Sequence, residues 1–217
     1  MHEEKGLALC AEFFHTCGEA MLGRDFAAQR HRIAAGLCGE GSECFGFDDA
    51  VSRDHDFGPR FFLFLTEEDN ASFGYALARA YAALPQEFHG VRRLAANTVG
   101  APRGGVLTIP AFYRRFTGCP GVPPENLAWL AVPEYALACA VSGAVFPDPL
   151  GEFSKIRAQL AKGYPEDVRR KKQPPAPSKW RRRDNITICA VFATGRRAPR
   201  AWRCMPFVRR RSPCCIC

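Results

Sequence analysis

The sequence predicts an α+β fold, in which a mixed sheet with flanking helices is followed by the start of a helical domain. Two apolar strand candidates, residues 32–37 and 59–65, lie early in the chain on either side of a polar connection that contains glycine. From residue 111 onward the pattern indicates a series of short helices. Mixed strands and helices followed by helices alone are typical of an α+β arrangement.

The first elements are indicated by periodicity and by capping. Apolar residues recur at three- and four-residue steps over residues 5–21, which predicts an amphipathic helix. Residues 32–37 and 59–65 are expected to be the two central strands. Thr66, followed by three acidic residues, is expected to cap a helix that runs to about Ala83, because Leu84-Pro85 ends it.

The rest of the chain predicts weaker strands and then helices. Residues 91–97 and 105–109 are the strand candidates, separated by a turn rich in glycine and proline. The expected helices are residues 111–117, 124–130, 133–141, 151–161 and 164–172. We therefore expect a first domain over residues 1–118, the start of a helical domain over 119–172, and a disordered basic tail over 173–217.

Gly41-Ser42, followed by Asp54-His55-Asp56, is the most informative pattern in the chain. Side chains at positions i and i+2 of a strand share one face, with their roots about 6.5–7 Å apart. Asp54 and Asp56 on a strand could therefore converge on Mg²⁺, which prefers oxygen ligands and is usually held by one or two carboxylates plus substrate phosphates. Gly41 allows the backbone to approach a phosphate closely, and Ser42 adds a hydroxyl group.

This motif resembles the signature of the DNA polymerase beta-like nucleotidyltransferase superfamily. The longer run from Gly41 to Arg60 is more similar to one branch of unknown function, domain of unknown function 4037. The similarity extends from Gly6 to about Lys172 and includes two further runs, Phe112-Tyr113-Arg114-Arg115-Phe116 and Tyr164-Pro165-Glu166-Asp167-Val168-Arg169-Arg170-Lys171-Lys172.

The resemblance implies a nucleotidyltransferase-like sheet and transfer of a nucleoside monophosphate from a nucleoside triphosphate, expected to be ATP, to an unidentified hydroxyl acceptor. Gly41 and Ser42 would bind the triphosphate. Asp54 and Asp56 would be catalytic and would hold Mg²⁺ or Mn²⁺. Arg60 is a further nucleotide-binding candidate, although both Arg53 and Arg60 are equally suited to a structural network of ion pairs.

The sequence departs from the superfamily at a third carboxylate, which active members usually carry on a later strand. The matching strand here, Gly105-Val106-Leu107-Thr108-Ile109-Pro110, has no acidic residue. Two interpretations follow. Asp48 or Asp49 substitutes for the missing group, or the protein is a degenerate member that binds a nucleotide or a partner without turnover.

The charge of the chain is divided unevenly. Residues 169–217 hold 15 of the 30 basic residues and one of the 22 acidic residues, so their formal net charge is +14, against −6 for residues 1–168. The positive net charge of the whole chain therefore gives no support for nucleic-acid binding by the folded body, residues 1–168.

The chain has no membrane-length apolar run and no signal-peptide pattern at its start, so we expect a cytoplasmic location and no membrane partner.

The composition changes at about Gln173, and several interpretations of the tail compete. It could bind nucleic acid through its basic residues, it could bind zinc through its five cysteines, or its last four residues could form a prenylation box. We favour a one-base change of reading frame near codon 173, because regrouped codons permit a segment of the Gly-Gln-Tyr-Asn-Tyr type. On that interpretation the helical domain is truncated here.

The six cysteines before the tail are expected to be reduced and to pack in the protein core.

Overall fold

The structure is a computed structural model that describes residues 6–47, 58–93 and 103–172. The chain divides into a compact unit, Met1–Pro175, and a second unit, Ala176–Cys217, which lies outside the described residues. The described part is mixed α+β, as the sequence predicts. No helix in these three stretches is both long enough and apolar enough to cross a membrane.

A four-stranded mixed sheet forms the centre of the compact unit, in the order β5 (Gly105–Thr108), β2 (Phe62–Leu65), β1 (Ala34–Leu37) and β6 (Ala144–Val145). The middle strands β1 and β2 are antiparallel, β5 runs parallel to β2, and β6 runs antiparallel to β1. A separate two-stranded sheet is formed by β3 (Glu87–Phe88) and β4 (Val91–Arg92).

Helices cover both faces of this sheet. Two of them are continued through π-helical turns, at Phe14–Gly18 and Asn70–Gly74. The α-helices are α1 (Gly6–Phe13), α2 (Glu19–Asp25), α3 (Ser42–Phe45), α4 (Glu67–Asp69), α5 (Tyr75–Ala82), α6 (Ile109–Thr117), α7 (Asn126–Ala131), α8 (Glu134–Val141), α9 (Glu152–Leu160) and α10 (Glu166–Lys172).

Strand β2 is buried on both faces because its side chains alternate between two hydrophobic clusters. Phe62 and Phe64 pack with Phe112 of α6 and Phe153 of α9, and the Phe64 and Phe153 rings stack with centroids 4.2 Å apart. Leu63 and Leu65 belong to the opposite cluster, with residues of α1, α2 and α5. An uninterrupted apolar strand is the pattern expected of a sheet covered on both sides.

Most local predictions are confirmed. The predicted central strands are β1 and β2, although they begin at Ala34 and Phe62. Thr66 caps α4 by accepting a hydrogen bond from the Asp69 N–H at 3.0 Å. The weak strand at 91–97 is present as β4 only over Val91–Arg92, and residues 94–97 lie outside the described part.

Residues 119–172, which are predicted to be the start of a helical domain, also contain β6, an edge strand that the sequence did not indicate. β6 pairs Gly36 with Val145 and Leu37 with Ala144. A Cβ atom on Gly36 would lie 2.6 Å from the Ala144 carbonyl oxygen, so only glycine permits this approach. The domain boundary at residue 118 stays a prediction.

Candidate functional site

The Gly41-Ser42 pair lies where the sequence places it, directly after a buried strand. β1 ends at Leu37, and the connection to α3 passes through Gly39 (φ 105°) and Gly41 (φ 140°), both in the region that favours glycine. Ser42 begins the single turn of α3, and the Cys44 N–H bonds the Gly41 carbonyl at 3.1 Å. We call residues 39–42 the glycine loop.

Arg60, which lies two positions before β2, pairs with α3, the helical turn that follows the glycine loop. Its guanidinium forms an ion pair with the Glu43 carboxylate, and a second guanidinium nitrogen donates to the Gly58 carbonyl at 3.3 Å. Arg60 is 4% exposed, so this is an ion pair of the protein interior. The Glu43 carboxylate folds back over Gly41, because a Cβ atom on Gly41 would lie 2.6 Å from Glu43 Oε1.

A second ion pair involves Glu40, the residue that precedes Gly41-Ser42 in the sequence. Arg115 Nη2 of α6 lies 3.9 Å from Glu40 Oε2, and both residues line a small pocket with Arg103 and the end of β1. Burial lowers the pKa of Arg115 below its ordinary value, although the Glu40 carboxylate opposes that shift. Arginine keeps its proton at neutral pH, so the charge remains.

The loop between α8 and β6 supports the glycine loop through hydrogen bonds. The Ser142 hydroxyl donates to the Gly39 carbonyl at 2.6 Å, and the Gly143 N–H donates to the Cys44 carbonyl at 2.9 Å. Arg157 Nη2 of α9 in turn donates to the carbonyls of Val141 and Gly143, each at 2.8 Å. Hydrogen bonds from the loop between α8 and β6 therefore fix main-chain atoms on both sides of Gly41-Ser42 in the sequence.

Three buried cysteines, Cys10, Cys38 and Cys44, lie near the same loop. Burial raises the pKa of Cys10 to about 11 and that of Cys38 to about 12, and it raises the pKa of Cys44 as well. These thiols are neutral at physiological pH and therefore weak nucleophiles. This agrees with the prediction that they serve packing.

Asp48, Asp49, Asp54 and Asp56 all lie outside the described residues. Within the described part no group of three or more histidine, cysteine, aspartate or glutamate residues is arranged to hold a metal ion. The described residues resume at Gly58. The Gly58 carbonyl oxygen accepts a hydrogen bond from the Arg60 guanidinium and another, at 3.6 Å, from the Cys10 thiol.

Comparison with known protein families identifies one similarity. Residues 129–186 match the model of a domain of unknown function (DUF4037). No curated protein and no solved structure matches the chain. The match supports the predicted likeness to this family for the stretch from Trp129 onward, and the likeness of residues 6–128 stays a prediction.

The matched range includes the residues that support the glycine loop, since Ser142, Gly143 and Arg157 all lie within it. It also continues past Lys172 to Ile186. It therefore crosses the point at which a change of reading frame is predicted, and that change stays a prediction.

The sequence analysis did not single out the charged residues in and around the glycine loop. Glu40 and Glu43 stand next to the Gly41-Ser42 motif, so their positions alone could have suggested them. Arg115 lies in the aromatic run of α6, where it shows no distinguishing pattern. Arg103 and Arg157 carry no local signal, because only the packing of distant segments brings them to this end of the sheet.

Proposed function

We propose that this protein is a metal-dependent nucleotidyltransferase that moves a nucleoside monophosphate from a nucleoside triphosphate to a hydroxyl acceptor. The observation that carries the proposal is the unit of strand, glycine turn and short helix over residues 34–45. Gly41 has a φ of 140° there, and Arg60 joins the turn to the start of β2. The Asp54-His55-Asp56 run precedes β2 in the sequence.

The glycine loop suits a phosphate for a physical reason. Without a side chain, Gly41 already allows one anion, the Glu43 carboxylate, to approach its backbone closely, and the neighbouring Ser42 is only partly buried. We assign Gly41 and Ser42 to the β- and γ-phosphates and Arg60 to the positioning of the loop beside them. Asp54 and Asp56 are proposed to hold Mg²⁺ or Mn²⁺, which would neutralise charge on the phosphates.

The proposed reaction is an in-line displacement at phosphorus. The acceptor hydroxyl oxygen forms a bond to the α-phosphorus, the bond to the bridging oxygen breaks, and pyrophosphate leaves with its negative charge. The proton of the hydroxyl passes to a carboxylate or to water. Catalysis of this kind depends mostly on positioning and on charge stabilisation.

A nucleotide-binding protein without turnover is the alternative, and one observation favours it. β5 is parallel to β2 and is the strand expected to match the one that carries a third carboxylate in the superfamily that the motif resembles, but its residues are Gly, Val, Leu and Thr. If neither Asp48 nor Asp49 supplies the missing group, binding would be retained and transfer lost.

The test uses the full chain with MgATP, MgGTP, MgCTP and MgUTP labelled at the α-phosphate. Calorimetry measures binding, and pyrophosphate release together with label transfer to small hydroxyl compounds, RNA ends and protein measures turnover. Asp54→Asn and Asp56→Asn should abolish transfer without changing the thermal midpoint, with Asp25→Asn on α2 as a surface control. Binding without transfer would establish the alternative, and the absence of both would refute the proposal.

A further inference from the structure

Arg157 of α9 holds the loop between α8 and β6 through one nitrogen. Its Nη2 donates to the carbonyl of Val141, the last residue of α8, and to that of Gly143, the residue before β6, each at 2.8 Å. These two carbonyls belong to the peptide groups on either side of the bond between Ser142 and Gly143. Because a guanidinium is planar and rigid, the two hydrogen bonds together fix the orientation of both peptide groups.

The segment between the two carbonyls carries the contacts to the glycine loop. The Ser142 hydroxyl donates to the Gly39 carbonyl at 2.6 Å, and the Gly143 N–H donates to the Cys44 carbonyl at 2.9 Å. A rotation of the flanking peptide groups would move both donors away from their acceptors. The hydrogen bonds that Arg157 makes therefore also set the position of the donors that fix the glycine loop.

The loop between α8 and β6 lies directly against the end of β1. A Cβ atom on Gly143, whose φ is 79°, would lie 2.9 Å from Cys38 Cα and closer still to the Leu37 carbonyl oxygen. Only glycine permits this backbone contact. With no side chain between the two main chains, a displacement of the loop is passed on to Cys38 and to the glycine loop that follows it.

Arg157 also has a buried donor that the fold leaves unused. Its side chain is half-buried, and among the described residues its Nε finds no hydrogen-bond partner. Buried polar groups are nearly always paired in proteins, and an unpaired one lowers the stability of the fold. Stability alone would therefore not favour arginine at this position, and what the residue contributes is the pair of hydrogen bonds made by Nη2.

α9 gives the Arg157 side chain a fixed base. The Asp148 carboxylate accepts a hydrogen bond from the Ser154 N–H at 2.7 Å, near the start of the helix. Phe153, which is fully buried, stacks on Phe64 of β2 with ring centroids 4.2 Å apart. A side chain that positions other groups needs such support, because its own geometry must be fixed first.

We propose that Arg157 is a positioning residue, which acts through the loop between α8 and β6 to hold the glycine loop in the conformation that binds a triphosphate. The inference rests on the proposed function for its ligand. It gives residues 129–186, the stretch that matches DUF4037, a role in a site whose predicted ligand-binding residues all lie between positions 41 and 60.

Calorimetry of the full chain with MgATP measures the effect on affinity. Arg157→Met keeps the apolar stem and removes the donor of both hydrogen bonds, and it should raise the dissociation constant about tenfold. Arg157→Lys keeps the charge and a donor, so its constant should lie between those of wild type and Arg157→Met. Lys155→Met is the matched control, since Lys155 is exposed on the same helix. Equal dissociation constants for Arg157→Met and Lys155→Met would overturn the inference.

A double-mutant cycle tests whether Arg157 acts through the loop between α8 and β6. If it does, the effects of Arg157→Met and Ser142→Ala on affinity are not independent. With single changes of about tenfold and about fivefold, the double variant should lose about ten- to twentyfold and not the product of about fiftyfold. An effect of Arg157→Met that is undiminished in the Ser142→Ala background would overturn the proposed route.

Amide hydrogen exchange, measured by NMR spectroscopy without ligand, reports on the glycine loop itself. In Arg157→Met the amides of Gly143 and Cys44 should exchange about tenfold faster than in wild type, because the bonds that protect them belong to the released segment. Leu160→Val, a change in the core on the same helix, should lower the thermal midpoint without a selective change at these two amides. Exchange in Arg157→Met that matches that of Leu160→Val would mean that the arginine serves overall stability alone.

The two proposals can fail separately. Selectively faster exchange in Arg157→Met, in a chain that binds no MgATP, would keep Arg157 as the residue that positions the loop and remove the proposed function. Nucleotide transfer with a KM for MgATP and an exchange pattern that Arg157→Met leaves unchanged would keep the function and remove the positioning role.

Discussion

The carboxylate of Glu43 and the guanidinium of Arg60 form a buried ion pair beside Gly41, with side chains 11% and 5% exposed. The pair links the helix that follows the glycine loop to Arg60, two positions before the start of β2. It therefore holds together the two segments that the sequence motif separates by eighteen positions, Gly41-Ser42 and Arg60.

Removing one partner of this pair should destabilise the fold. Arg60→Met would leave the Glu43 carboxylate buried without its counter-charge, and such changes cost about 3–5 kcal/mol of unfolding free energy. Urea denaturation measures the effect. Arg24→Met removes an exposed arginine that pairs with Asp25 and should leave the midpoint unchanged. Equal midpoints for the two variants would show that the buried pair does not anchor the loop.

Gly41→Ala should impair both the loop and ligand binding. A residue with a side chain is strained at φ 140°, and the added Cβ would lie 2.6 Å from the Glu43 carboxylate. We expect a loss of about 1–3 kcal/mol in stability and a weaker affinity for MgATP.

Gly23→Ala is the control for this change. Gly23 lies in α2, and an added Cβ there meets no described atom within 4 Å. The substitution should be neutral or stabilising by up to about 1 kcal/mol, because alanine is the better helix former. A Gly41→Ala variant as stable as Gly23→Ala would contradict the geometry of the loop.

Ser142→Ala should weaken nucleotide binding from a distance. It removes the donor to the Gly39 carbonyl, a bond of 2.6 Å, and leaves that oxygen without this partner at a cost of about 1–3 kcal/mol. The dissociation constant for MgATP and the urea midpoint should both change. Ser154→Ala on α9 is the control, since Ser154 bonds Asp148 through its backbone N–H. A Ser142→Ala variant with wild-type affinity would show that the loop does not need this support.

Stability should fall as the pH rises above 9. The pKa of the Cys10 thiol is raised to about 11 and that of Cys38 to about 12, from an ordinary value of 9.0, because burial disfavours the thiolate. Between pH 9 and these values the unfolded chain releases thiol protons that the folded chain keeps, so the unfolded state is favoured progressively.

Urea unfolding at pH 8, 9 and 10 measures this slope. Cys38→Ala should reduce it, and Ser154→Ala, which removes no thiol, should not. An equal slope in Cys38→Ala and wild type would show that this thiol ionises alike in both states.

The local elements were predictable because their signals are local. Thr66 and the acidic residues after it mark a helix start within one turn, and Phe62–Leu65 is apolar enough to indicate a buried strand without its neighbours. β6 was not predictable, since a strand of two residues, Ala144–Val145, has no measurable periodicity. Its position depends on Gly36, which lies more than a hundred residues earlier.

The sequence by itself determined the order of the elements, the two central strands and the position of Gly41-Ser42 at the end of the first. Those features follow from apolar periodicity, capping and the freedom of glycine, which act over a few residues. Only the tertiary structure decided that Glu43 pairs with Arg60, that Arg103 and Arg115 reach the same pocket, and that Ser142 supports the loop. Ion pairs and hydrogen bonds between distant segments depend on which side chains the packed core brings within a few ångströms, and no local pattern records that.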